Sequence, residues 1–193
     1  MLSGLRRLNG GRWRRKDLGA VLQHYGVRTP WLDVVRNLYT AIWFATHDLS
    51  GDGLHGIAKP SRTDHCWISF YRRQAATAEE RLRVKDLSAH HSSMHLRPHA
   101  QHGLSLAMQP DHAELPRPFQ DFNRFRIAHV RIPNASDWQL SGHMFSSTFL
   151  FPSVQLDDSL RRLSTAAAQD LLNDACERFN LQPGALGQIS RYR

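Results

Sequence analysis

Apolar residues along the chain recur in two periods, and the switches between them mark out elements. Leu18, Val21, Leu22 and Tyr25 fall at i, i+3, i+4 and i+7, the spacing of an amphipathic helix, and Gly26 then supplies a left-handed stop. His24 therefore sits in the final turn, where the helix dipole favours a cation by about 0.3–1 kcal/mol. Thr29-Pro30 reads as extended chain, because the residue before a proline is pushed out of the helical region. Trp31 and Leu32 are expected in the core. Asp33 and Asn37 are both candidate N-caps for a helix from about Leu38 to His47, whose first amides need a side-chain oxygen. That helix carries Leu38, Ala41, Ile42 and Ala45 on one face and Tyr39, Trp43 and Phe44 on the others, a pattern that predicts a central position.

Beyond a loop marked by Gly51, Gly53 and Gly56, Cys66–Tyr71 reads as a strand and Ala75–Val84 as a short helix. Lys85–His102 is a polar, histidine-rich stretch, and Gly103–Met108 reads as a second strand. Phe125, Ile127, Val130 and Ile132 mark a third, with a one-residue break in alternation that predicts a bulge. Asp157 and Asp158 open a last long helix that carries Leu160, Leu163, Ala167, Leu171, Ala175 and Phe179 at helical spacing. Helices at both ends and irregular strands between them predict an α+β fold with a mixed sheet rather than a doubly wound one. The organisation expected is a flexible basic arm over residues 1–15, one domain over 16–182 and a tail over 183–193.

A chain of 193 residues with 41% apolar and 22% charged residues suits one globular domain, which at this size buries about 70% of its unfolded surface. No apolar run reaches the ~18 residues of a membrane span, and no apolar signal segment follows the N-terminal arginines, so the expected location is the cytoplasm. Cys66 and Cys176 read as free thiols of a reducing compartment. Lys and Arg number 25 against 17 Asp and Glu, a formal charge of +8. A basic surface attracts polyanions, and Arg6, Arg7, Arg12, Arg14 and Arg15 are the candidate nucleic-acid contacts. His91, His95 and His99 have the four-residue spacing of metal ligands on a helix, but Pro98 is expected to break that helix, and no metal site is predicted.

The turn Gln23-His24-Tyr25-Gly26-Val27-Arg28-Thr29-Pro30-Trp31-Leu32-Asp33, followed by Leu38-Tyr39-Thr40-Ala41-Ile42-Trp43-Phe44-Ala45, resembles the signature of the FRG domain family. Three later segments resemble the same family in the same order: Arg97–Leu104 with its Gln101-His102-Gly103, Phe125–Pro133, and Thr148-Phe149-Leu150-Phe151-Pro152-Ser153. The Phe-Arg-Gly motif that gives the family its name does not occur ahead of Gln23, so the resemblance implies an FRG domain without its first strand. It also implies a distant likeness to the ADP-ribosyltransferase superfamily, with Thr29–Asp33 and the helix after it as the second element and its helix.

Such enzymes use a carboxylate to stabilise an oxocarbenium-like transition state and arginine to hold the phosphates of NAD. The residues implied to line a nucleotide cleft are His24, Thr29, Asp33 and Gln101, with Arg28 or Arg36 toward phosphate. Which residue is catalytic stays open, since no glutamate stands beside Gln101. The expectation is therefore an FRG-domain protein of prokaryotic type, either an NAD-dependent effector like the ADP-ribosyltransferases or a truncated inactive relative. Its rival is a non-catalytic basic module that holds nucleic acid.

Overall fold

The computed structural model describes residues 18–25, 29, 31–50, 57–73, 82–90, 95–108, 122–134 and 145–165. The first amphipathic pattern forms helix α1, Leu18–His24, and buries Ala20, Val21, Leu22 and Tyr25. At Gly19 a Cβ would stand 3.0 Å from the Trp31 indole nitrogen, so glycine lets that ring lie close against α1.

Asp33 does not cap the next helix. It lies within strand β1, Leu32–Val35, and Asn37 takes the cap, its side chain accepting from the amides of Tyr39 at 2.8 Å and Thr40 at 3.2 Å. Helix α2, Leu38–Thr46, is apolar on most of its surface, yet Leu38 and Tyr39 in its first turn are about half exposed while Ile42 and Trp43 are buried. The helix ends where the Thr46 hydroxyl donates back to the Ile42 carbonyl and the chain turns extended at His47, whose ring stacks on Trp43. Strand β2, His47–Ser50, then pairs antiparallel with β3, Ile57–Pro60.

Strand β4, His65–Tyr71, matches the predicted strand. The predicted helix Ala75–Val84 fails at its end, because Leu82–Asp86 is strand β5. Residues 74–81 lie outside the described ones. The histidine-rich stretch is not a loop throughout: it holds the short helices α3, Leu87–His90, and α4, Leu96–Ala100. Pro98 does not break α4, which begins at Leu96, since a proline in the first turn removes an amide that would have had no helical partner. Strand β6, Gly103–Met108, follows, and after the 3₁₀ turn Phe122–Phe125 comes β7, Arg126–Pro133. The chain continues through α5, Ser147–Leu150, to α6, Asp158–Leu163. The expected long last helix stops at Ser164, whose hydroxyl donates to the Leu160 carbonyl; its continuation through Phe179 lies outside the described residues.

The described strands make three small sheets, β1-β6-β5, β2-β3 and β4-β7, and every pair is antiparallel. The architecture is thus α+β as predicted, but the mixed sheet is corrected to antiparallel ones. Strand β6 occupies the middle of the larger sheet. Its residues alternate between Leu104 and Leu106, buried on one face, and the small Gly103, Ser105 and Ala107 on the other. The small face is where α1 settles, its Ala20 carbonyl accepting from the Ser105 hydroxyl at 3.4 Å.

Candidate functional site

His24 ends α1 directly over the small face of β6. Gly103 makes this position available, because a Cβ on it would lie 2.5 Å from the His24 Cε1. The ring meets oxygen on both sides. Its Nδ1 lies 3.2 Å from the Gln101 side-chain oxygen, while Nε2 lies 3.4 Å from the Leu104 carbonyl and 3.3 Å from an Asp33 carboxyl oxygen. The Gln101 amide nitrogen donates to the Leu150 carbonyl at 2.9 Å, which fixes the amide with its oxygen toward His24. Nδ1 must therefore carry a proton to donate. Nε2 then faces two acceptors, and the arrangement is satisfied when one further proton sits between Nε2 and the Asp33 carboxyl.

Asp33 is the open end of this chain of contacts. Its side chain keeps 36% of its surface exposed, against 2% for His24. Protein atoms crowd the carboxyl on its other sides, and the lost hydration pushes it up from the ordinary 3.8 to about 6, outweighing the downward pull of His24 and of the Ser105 hydroxyl at 3.5 Å. A carboxyl raised in this way binds its proton more tightly folded than unfolded. Its contribution to stability is full below pH 3.8 and is lost as pH rises through about 6. Relative to wild type, Asp33→Asn should accordingly gain stability between those limits and hold a constant difference above them. Carboxyl carbon NMR shifts followed against pH check the cause, and an Asp33 midpoint near 4 would contradict it.

The other candidates fall elsewhere. The Thr29 hydroxyl and amide are both 2.8 Å from the Gln23 side-chain oxygen, and its hydroxyl also lies 3.2 Å from the Gly19 carbonyl, so Thr29 locks the turn between α1 and β1. The Arg36 guanidinium pairs with Asp86 at 2.8 Å and donates to Ser88 at 2.6 Å. Arg28 and the arginines Arg6, Arg7, Arg12, Arg14 and Arg15 lie outside the described residues. Among the metal-spaced histidines, His91 also lies outside them and His95 is buried against the Ser159 hydroxyl. Among the described residues no three His, Cys, Asp or Glu side chains gather in a way that could hold a metal ion. No described helix is long and apolar enough to cross a membrane.

A buried network next to His24 escaped the sequence reading. Asp157, fully buried, accepts from the Tyr25 hydroxyl at 2.8 and 2.9 Å, from the Arg97 amide at 3.0 Å, and from the Ser159 and Leu160 amides that begin α6. The Arg97 guanidinium lies over the rings of Tyr25 and Phe151 and reaches the His24 carbonyl. Burial, then the neighbouring carboxylate, raises the Tyr25 phenol well above its usual range. Gly103 and Ser105 had one legible signal, the small-residue alternation of β6, which marks a face that something must fill, whereas Asp157 was legible only as the start of the last helix.

Residues 5–52 match the family model of the FRG domain, roughly a quarter of the chain. The match supports the FRG family and takes in α1, β1 and α2, hence His24, Thr29, Asp33 and Arg36. No curated protein and no solved structure matches the chain. Of the four resembling segments, two meet at the imidazole and a third backs them: the turn supplies His24 and Asp33, the second segment Gln101, and the last the Leu150 carbonyl that accepts from the Gln101 amide. The fourth, Phe125–Pro133, forms a different sheet.

Proposed function

We propose that this FRG-domain protein acts through the Asp33 carboxyl, backed by His24 and aligned by Gln101, as a charge-stabilising and proton-transferring group toward a ligand arriving from solvent. The observation that supports it is the pair itself. A carboxyl lifted to about 6, one side wet and the other 3.3 Å from an imidazole with acceptors on both nitrogens, exchanges a proton near neutral pH, which is what acid–base chemistry asks of a side chain.

The specific form of the reading is a nucleotide-dependent, ADP-ribosyltransferase-like effector built on a domain spanning residues 16–182, in which Asp33 supplies the carboxylate that faces an oxocarbenium-like centre. Thr29 and Arg36 do not favour it, being held by Gln23 and Asp86, so the phosphate contact would fall to Arg28. Calorimetric titration of the purified protein with NAD tests it. Heat of binding that Asp33→Asn diminishes is the expected result; no heat together with no thermal shift removes the nucleotide reading.

A further inference from the structure

The β4–β7 ribbon offers a second surface. Neither strand contains an Asp or a Glu, and together they carry Arg126, Arg131, His65 and His129. Pairing sets Trp67 opposite Arg131 and Ser69 opposite His129 on one face. The bulge then matters. Strict alternation would send Arg126 to the face opposite His129 and Arg131, but the register slips between Phe70 and Tyr71, leaving Ile127 without a counterpart and setting Arg126 across from Tyr71. His65, Trp67, Ser69 and Tyr71 thus share one face with Arg126, His129 and Arg131.

That face is ordered for stacking. The His129 ring lies parallel to the Trp67 indole at 4.4 Å, and the Ser69 hydroxyl 2.8 Å from His129 Nδ1 holds it there. The Arg131 guanidinium donates to His65 at 2.9 Å, which spreads it along the strand. Despite its size, Trp67 stays 49% exposed. A tryptophan left half in water across from Arg131, with Arg126 further along the same face opposite Tyr71 and no carboxylate in either strand, has the chemistry of a platform on which bases stack while cations meet the backbone phosphates.

We propose that this ribbon face binds single-stranded nucleic acid, with Trp67 and His129 as the stacking element and Arg126 and Arg131 as phosphate contacts. A fluorescein-labelled single-stranded oligothymidylate of about twelve nucleotides, followed by anisotropy against the full chain, tests it. Trp67→Ala should weaken binding roughly tenfold and Trp67→Phe should restore most of it. Arg131→Gln and Arg126→Gln should each flatten the slope of log affinity against log salt by about 0.7. Asp33→Asn should leave binding unchanged, which separates this site from the one around His24. Circular dichroism confirms that each variant is folded, and if Trp67→Ala is not, the arginine variants decide through the slope. The proposal is overturned if wild type does not bind, if duplex binds as tightly as the single strand, or if replacing Arg6, Arg7, Arg12, Arg14 and Arg15 abolishes binding while the ribbon variants do not affect it.

Discussion

Asp157→Ala is expected to lose about 3–5 kcal/mol of stability, a large part of the 5–15 kcal/mol available to a domain of ordinary stability. The carboxylate is fully buried and receives the Tyr25 hydroxyl and three backbone amides, those of Arg97, Ser159 and Leu160. Alanine would strand these donors in a place water cannot reach, and each unsatisfied one costs about 1–3 kcal/mol. It would also remove the cap of α6, worth about 1 kcal/mol. Asp157→Asn keeps one acceptor oxygen and should fall between the two. Urea unfolding provides the measurement, and a loss under 1 kcal/mol for the alanine variant would mean that the network does not tie α1, α4 and α6 together.

The second large effect is expected from the smallest change, Gly103→Ala. The new methyl group would stand 2.5 Å from His24 Cε1 and 3.0 Å from Nε2. The imidazole has little freedom to retreat, being 6% exposed and held on either side by Gln101 and Leu104. Overpacking of this sort costs about 1–3 kcal/mol. Its functional mark is more telling, since displacement of the ring parts it from Asp33. In wild type the His24 ring signals in ¹H–¹⁵N NMR should shift as Asp33 titrates near pH 6, and in the variant they should no longer follow it. Unchanged coupling in a folded Gly103→Ala protein would rule out the tight seat described for the ring.

Much of the site was legible before any coordinates. The helical spacing of Leu18, Val21, Leu22 and Tyr25 put His24 in a last turn, and the resemblance grouped it with Asp33 and Gln101, the two side chains that now flank its ring. Thr29 and Arg36 were grouped with them on the same grounds and are occupied elsewhere, because sequence proximity does not reveal which partner a hydroxyl or a guanidinium will find first. Local misreadings have local causes. Leu82 and Val84 alternate with Arg83 and Lys85 in the period of a strand, so the helix expected over Ala75–Val84 overran its end, where pairing with β6 holds the chain extended. Pro98 was read as a helix breaker when it stands in a first turn, where the same missing amide does no harm.

What the sequence determined by itself was the local: the helical period from Leu18 to Tyr25, the strands over Cys66–Tyr71 and Gly103–Met108, the start of the last helix at Asp157, and the charge of +8. Only the tertiary structure decided that the small face would receive His24, that an aspartate in β1 would reach its ring from a neighbouring strand, and that Leu150 would orient the glutamine behind it. Periodicity and capping act over a few residues and are written in neighbouring letters. The Asp33 carboxyl meets His24 and Ser105, 9 and 72 positions away, and both hold it down; what lifts it to about 6 is exclusion of water, which no segment achieves alone.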